Sequence, residues 1–317
     1  MRQPRQLIVA VIAMMALMVG GCAGSGAEPG AAGGAPNGTE GTTRVVQHAM
    51  GSTEITGTPQ RVVVLDTGEL DSVIALGVTP VGAVRADATS GLQSYLVDRV
   101  RQVEMVGAIN EPNLEAIAVL QPDLILSNKV RHEDIYDQLS GIAPTVFAES
   151  VGVAWKENFL LAGEALGKRA EAERILADYE QQAQQVGQQF GDPSAVQVSM
   201  VRFMPGSIRL YGQGSFIGTI LDDAGFSRPE PQQVDKTFVE ISREQLSLAD
   251  GDLLFYAAYG STGKTEQGQL TAGPLWQKLG AVSESRAHQV SDDLWYLGIG
   301  PIAADLVLND LRGYATQ

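Results

Sequence analysis

The sequence predicts an α/β protein of two lobes, each a mainly parallel sheet with flanking helices, joined by one long helix. Three observations carry this. Short apolar runs alternate with helical segments over residues 61–147, a single apolar stripe follows over 155–190, and alternation resumes at 196. Strand–helix alternation of this kind belongs to parallel sheets covered by helices.

In the first block, residues 61–65, 81–84, 124–126 and 145–147 read as strands. Residues 69–76, 113–120 and 135–139 read as helices, the second closed off by Pro122. Between Trp155 and Phe190 there is no proline, and Ala172, Leu176, Tyr179, Ala183, Val186 and Phe190 recur at helical spacing. That is one apolar stripe on a helix of roughly 50 Å. Gly163, Gly167 and Gly187 weaken the helix locally, and Gly191-Asp192-Pro193 stops it. In the second block, 196–203, 253–256 and 289–290 are strands and 216–223, 275–279 and 302–311 helices. Ser242-Arg243-Glu244-Gln245 has the spacing of a capping box, so another helix starts there. The expected organisation is a signal peptide over 1–21, a tether over 22–43, an N-terminal lobe over 44–150, a connecting helix over 151–191 and a C-terminal lobe over 192–317.

The N-terminus supports export. Arg2 and Arg5 precede an apolar stretch over 7–19, too short to span a membrane and suited to a signal peptide. It ends in Val19-Gly20-Gly21-Cys22, which resembles a lipobox although Gly20 is a less usual choice there. In a lipobox the cysteine is acylated and heads the mature protein. Cys22 is the only cysteine, and a second thiol would be open to oxidation outside the cytoplasm. Residues 23–43, rich in Gly, Ala, Ser and Pro, read as a flexible tether. Removing 1–21 takes away two arginines and no acid, so the balance becomes 20 basic against 37 acidic residues, or −17. Such a surface argues against nucleic acid and against electrostatic attachment to anionic lipid. An arginine in a cleft is then informative, because the overall field opposes anionic ligands.

Several segments, in order along the chain, resemble the siderophore-binding lipoproteins of ABC importers, which are solute-binding proteins whose lobes are linked by a single helix. They are Thr58-Pro59-Gln60-Arg61, Ala75-Leu76-Gly77-Val78-Thr79-Pro80, Glu111-Pro112-Asn113-Leu114-Glu115, Gln121-Pro122-Asp123-Leu124, Ile142-Ala143-Pro144-Thr145, Gly273-Pro274-Leu275-Trp276 and Trp295-Tyr296. Within that family the chain looks closest to the ferric-hydroxamate binders. The resemblance implies a ferric siderophore as ligand, an ABC permease as partner, a lipid anchor as the membrane contact, a monomer, small lobe closure and no cofactor.

Ligand sites in two-lobed proteins lie between the lobes, at loops leaving strand ends. Arg85 follows a strand directly, and Arg131 follows another by a short turn. Arg202 lies inside an apolar strand and either pairs with an internal acid or faces the cleft; Arg209 and Tyr211 lie beyond the Pro205-Gly206 turn. Arginine suits the task because its planar fork makes paired hydrogen bonds to carboxylate, catecholate or hydroxamate oxygens. Lys236 is a further cation. Trp155, Tyr259 and Trp295 are candidate aromatic walls, with core packing as the alternative; Trp295 matches the family's pocket tryptophan. Where the hydroxamate binders carry an arginine before the Glu-Pro-Asn-Leu-Glu segment, this chain has Ile109-Asn110, so Arg85, Arg131 or Arg202 takes the role. The family docks on its permease through one acid on each lobe. Glu69 matches the N-lobe acid, and Asp222, Asp223 and Glu230 are the C-lobe options.

Other ligands compete on the same fold. Haem or cobalamin would need an aromatic cleft with few charges. A bare metal site would need converging histidines, and His48, His132 and His288 stand far apart in no ligand spacing. Gly212-Gln213-Gly214-Ser215-Phe216-Ile217-Gly218 resembles a dinucleotide loop, but its third glycine is one residue late and a tight strand-to-helix turn explains it. No catalytic constellation is present, so the reading is of a binding protein and not an enzyme. Cys22→Ser is expected to yield a chain that binds ligand normally but partitions into the soluble fraction and transports poorly, as cell fractionation and iron-uptake assays would report.

Overall fold

The valine run at residues 62–64 is buried on both faces, the environment of a central strand in a sheet covered on both sides. The structure is a computed structural model that describes residues 42–86, 91–100 and 102–315. The signal peptide, Cys22 and almost all of the tether lie outside the described residues.

A hairpin comes first, β1 (Thr43–His48) with β2 (Gly51–Thr56). The N-terminal lobe follows as β3 (Val62–Val64), α1 (Thr67–Ala75), β4 (Gly82–Arg85), α2 (Ser94–Val97), β5 (Glu104–Ala108), β6 (Glu111–Pro112), α3 (Leu114–Val119), β7 (Leu124–Asn128), α4 (Lys129–His132), α5 (Tyr136–Ser140) and β8 (Thr145–Ala148). Two helices, α6 (Trp155–Leu166) and α7 (Arg169–Gln188), carry the chain onward. The C-terminal lobe comprises β9 (Val198–Met204), β10 (Ser207–Tyr211), α8 (Phe216–Asp223), β11 (Phe238–Ile241) and β12 (Leu253–Ala258). It continues with α9 (Gly260–Thr271), α10 (Pro274–Gln277), α11 (Gly280–Ser283), β13 (Ala287–Gln289), α12 (Asp292–Trp295) and α13 (Pro301–Tyr314).

The N-lobe sheet has the order β6-β5-β4-β3-β7-β8 and is parallel except for the β5–β6 pair. The C-lobe sheet has the order β11-β10-β9-β12-β13, with β9, β12 and β13 parallel and β10 and β11 antiparallel additions. The expected α/β architecture with a helical connection is therefore present, but β5, β6 and α9 lie outside the expected elements, and three further details differ. The connection is two helices, because Gly167 adopts the left-handed conformation at the end of α6 (φ 72°) and Lys168 N–H returns to the Gly163 carbonyl at 2.7 Å. The hairpin falls at the start of the lobe, with Val46 and Ile55 buried and Arg44 donating to the Glu164 carbonyl at 2.9 Å. Finally, β10 and β11 extend the C-lobe sheet beyond the expected strands.

One apolar core runs through both lobes. It joins Val62 and Leu70 to Trp155 and Phe159 on α6, Leu176 and Tyr179 on α7, Phe216 on α8, Phe255 on β12 and Leu308 on α13. Separate clusters fill the outer face of each sheet. Polar bonds reinforce the junction. The Asp71 carboxyl on α1 accepts from Ile302 N–H at 2.8 Å and Ala303 N–H at 3.0 Å, capping α13 from the other lobe. Gly300 precedes α13 with φ 122°, and a Cβ there would stand 2.6 Å from that carboxyl. Lys156 on α6 pairs with Asp223 on α8 at 2.7 Å, and Ser94 N–H reaches Asp293 at 2.6 Å.

Gly187 on α7 faces the Ala224 carbonyl so closely that any side chain would overlap it, whereas Gly268 on α9 faces open space. Gly187→Ala is expected to cost about 1–3 kcal/mol by overpacking, and Gly268→Ala to stabilise by about 0.5–1 kcal/mol through helix propensity. Urea unfolding of the two variants beside the parent chain checks both signs.

Candidate functional site

The chemistry of the C-lobe follows from strand alternation. Residues paired directly across antiparallel strands project on one face. Arg202 on β9 stands opposite Arg209 on β10, which stands opposite Glu240 on β11; Tyr211 stands opposite Phe238. Arg202, Arg209, Tyr211, Phe238 and Glu240 therefore share one face, while Val201, Phe203, Ile208, Leu210 and Ile241 fill the core on the other. Along β9, the Arg202 face is apolar at Val198 and Met200 and turns polar only toward the strand's C-terminal end. Tyr259 leaves the same end of the parallel neighbour β12.

Arg202 is 4% exposed and fully engaged. Its Nε and Nη2 donate to the two oxygens of Asp292 at 2.6 and 2.7 Å, and Nη1 donates to the Tyr211 hydroxyl at 3.0 Å. Its guanidinium lies 4.8 Å from the Tyr259 ring centre and 5.5 Å from that of Tyr296. Burial works against its charge, but the bonds to Asp292 and Tyr211 more than offset this and its pKa is raised. Of the two alternatives for Arg202, pairing with an internal acid holds, at a position on the C-terminal edge of the sheet. Arg209 is more open, bonding Glu240 at 3.0 Å with its guanidinium 3.9 Å from the Phe238 ring centre.

The N-lobe presents its own strand ends. Arg85 closes β4, and its Nε is buried without a partner. Arg131 on α4 donates from Nε to Asp66 at 2.6 Å, and Asn128 Nδ2 donates to the same oxygen at 2.8 Å. Asp66, buried at the end of β3, also caps α1 through Thr67 N–H. Arg131 thus keeps an exposed edge while an internal acid fixes its position.

Several expected residues fall elsewhere. Trp295 is completely buried, donates to Asp310 at 2.9 Å and packs on Phe255 at 4.8 Å, so it is core between the sheet and α13 and not a cleft wall. Its neighbour Tyr296 lies beneath Arg202 instead, its hydroxyl donating to the Val201 carbonyl at 2.8 Å. Trp155 is likewise core, bonded to Thr219 at 2.9 Å and edge-on to Tyr179 at 5.0 Å. Glu69 points inward beside Asp66 and is 7% exposed, which removes it as an acid that a permease arginine could reach. Asp223 is occupied by Lys156 and Tyr179, while Asp222 and Glu230 are exposed. Lys236 is exposed; its backbone packs against Gly212 and Gly214, where a Cβ would meet the Lys236 carbonyl at 2.5 Å or its amide at 2.9 Å. Those glycines admit the Val234–Thr237 segment over the start of α8, confirming a tight turn. Each histidine serves packing: His132 bonds Ser127 at 2.6 Å and the Ile109 carbonyl at 2.7 Å, His48 bonds Thr53 at 2.9 Å, and His288 stacks 4.4 Å from Tyr314.

Reasoning from sequence alone missed Asp66, Asp292, Phe238 and Tyr296. The alternation Ser-Ile-Arg-Leu-Tyr at 207–211 is a usable strand signal that would have put Arg209 beside Arg202. Nothing local marks Asp292 as the partner of a residue ninety positions earlier. Cations thus stand at strand ends of both lobes, with aromatic faces beside them in the C-lobe, a setting for an anionic, oxygen-rich ligand with an organic scaffold.

Residues 62–291 match the sequence profile of a family described as periplasmic binding protein. The chain is 42% identical to the probable siderophore-binding lipoprotein YfiY of Bacillus subtilis (strain 168), over 86% of this chain and 87% of that protein. It is 32% identical to the Fe(3+)-citrate-binding protein YfmC of the same organism, over 91% and 90%. The crystal structure of Staphylococcus aureus SirA complexed with staphyloferrin B superposes with a TM-score of 0.79 at 34% identity, covering 86% of this chain and 99% of that one.

Burial, reinforced by Asp66, holds the Glu69 carboxyl up at about 8 from an ordinary 4.5. A carboxyl with a higher pKa in the folded than in the unfolded chain binds more protons when folded, so its contribution to stability falls as pH rises from about 4.5 to about 8. Glu69→Gln imitates the neutral form and is expected to flatten that part of the profile, as urea unfolding at about pH 5 and about pH 8 would record.

Proposed function

The chain belongs to the periplasmic binding protein family, and on that premise we propose that it captures a ferric siderophore between its lobes and delivers it to an ABC permease. The observation that carries this reading is the clustering of Arg202, Arg209, Tyr211 and Phe238 on one face of the C-lobe sheet, with Tyr259 against Arg202 at the end of β12, and Arg85 and Arg131 at strand ends of the other lobe. The ligands named for the relatives, a siderophore, ferric citrate and staphyloferrin B, support it.

The work of such a protein is binding and docking, without covalent chemistry. Partly exposed arginines meet the anionic oxygens of the chelate as charge-assisted bonds, and tyrosine and phenylalanine faces take the scaffold. Arg202, held by Asp292, bonds the Tyr211 hydroxyl and lies against the Tyr259 ring, so it fixes these aromatic groups in place for a ligand. The shared core and the Asp71 cap restrict lobe motion, so closure is small.

Lipid on Cys22 and the following tether would confine the lobes beside the permease and raise their effective concentration there. The name of the 42%-identical relative, a lipoprotein, supports that anchor. No helix among the described residues is long and apolar enough to cross a membrane. On this reading the protein acts outside the cytoplasm, as its lipoprotein relative's name suggests, and as a monomer.

Tryptophan-fluorescence titration against ferric citrate, ferric hydroxamates, ferric catecholates, haem and cobalamin tests the reading. Quenching by an iron chelate at micromolar levels is expected, with Arg85→Ala and Arg131→Ala each weakening binding about tenfold. Quenching by haem or cobalamin alone, or by none of these ligands, sinks it. Retained affinity in both variants removes the two arginines from the site and leaves the function standing.

A further inference from the structure

Among the described residues, Arg85 at the end of β4 and Gln93 just before α2 carry buried polar atoms without a hydrogen-bond partner. Gln93 is 2% exposed, yet neither its Nε2 nor its Oε1 has a hydrogen-bond partner. Among the described residues it is the one whose two side-chain polar ends are both buried and orphaned. Arg85, at the other end of the same connection, has a buried Nε without a partner. Buried amides in folded proteins are nearly always bonded, so a doubly orphaned one needs a reason.

Its position supplies that reason. The next residue, Ser94, crosses to the other lobe and donates from both N–H and Oγ to Asp293 at 2.6 Å. Asp293 adjoins Asp292, the residue that fixes Arg202. Gln93 therefore adjoins a point where the lobes touch, next in sequence to the residue that meets the neighbour of Asp292. An unmade bond at a buried polar atom costs free energy in the unliganded chain, and a ligand that supplies the partner recovers it.

We infer that Gln93 is a specificity-determining contact for the ligand, its amide bridging the chelate at the floor of the interlobe junction. The inference rests on the siderophore reading and narrows the ligand. The Nε2 hydrogens call for acceptor oxygens, while Oε1 calls for an N–H or O–H donor. The ligand is then an iron chelate whose scaffold carries amide or hydroxyl groups beside its anionic oxygens. A chelate presenting acceptors alone leaves one end of Gln93 unsatisfied.

The test pairs binding with the stability of the unliganded protein. The full chain, Gln93→Met and Gln93→Glu are titrated by fluorescence with ferric citrate, iron-loaded staphyloferrin B and a ferric tris-catecholate, and melted without ligand. Gln93→Met keeps the length of the side chain and removes both polar ends. It is expected to weaken the tightest complex about tenfold while leaving the unliganded melting temperature unchanged or higher. Gln93→Glu loses the donors and is expected to weaken it at least as much. Parental affinity in Gln93→Met overturns the inference, and so does a clear fall in its unliganded melting temperature, which would mean that the amide has a structural partner. If the parent chain binds neither any of these three chelates nor a ferric hydroxamate, the functional reading itself fails.

Discussion

The carboxyl of Asp71 takes up two of the first free amides of α13, although it belongs to a helix of the opposite lobe. Helix starts present amides that need an acceptor, and supplying it from α1 makes the end of one lobe depend on the other. The arrangement is costly in charge: burial pushes Asp71 up to about 7 despite three hydrogen-bond donors, the third being Tyr95. It also dictates Gly300, since any side chain there would meet the carboxyl. Around this contact the apolar core continues from the N-lobe sheet through α6, α7 and α13 into the C-lobe. A shared core and a shared helix cap both oppose a wide swing of the lobes.

Within each lobe the site is a consequence of where burial stops. On β9 the inner face is Val198, Met200 and then Arg202, so a charge enters the last turns of an otherwise apolar row. Buried arginine survives only with its donors met, and Asp292 and Tyr211 meet them. Asp66 does the same for Arg131 on the N-lobe side. Several acids are in this sense internal: Asp66 and Asp292 hold arginines, and Glu69 lies buried beside Asp66. A chain with a large acidic excess thereby keeps cations at the strand ends.

What the sequence by itself determined was the alternation of strands and helices, the two blocks, and the family to which they belong. These are written in local periodicity, in proline and glycine stops and in segment order, all set by neighbours a few residues apart. The arginines at 85, 131 and 202 were legible for the same reason, each standing at or near the end of an apolar run. Tertiary structure alone decided which acid meets which arginine, because Arg202–Asp292 and Arg131–Asp66 close over long stretches of chain. It also turned Trp295 into core and Tyr296 into the ring beneath Arg202, a choice made by the direction in which α12 presents two adjacent side chains. Glu69 was buried on the same terms. A first-turn acid is an exposed residue or an interior one depending on what packs over its helix, and α6 packs there. Periodicity reports that a residue lies on a face; only the partner packed against that face decides whether it binds, supports or fills.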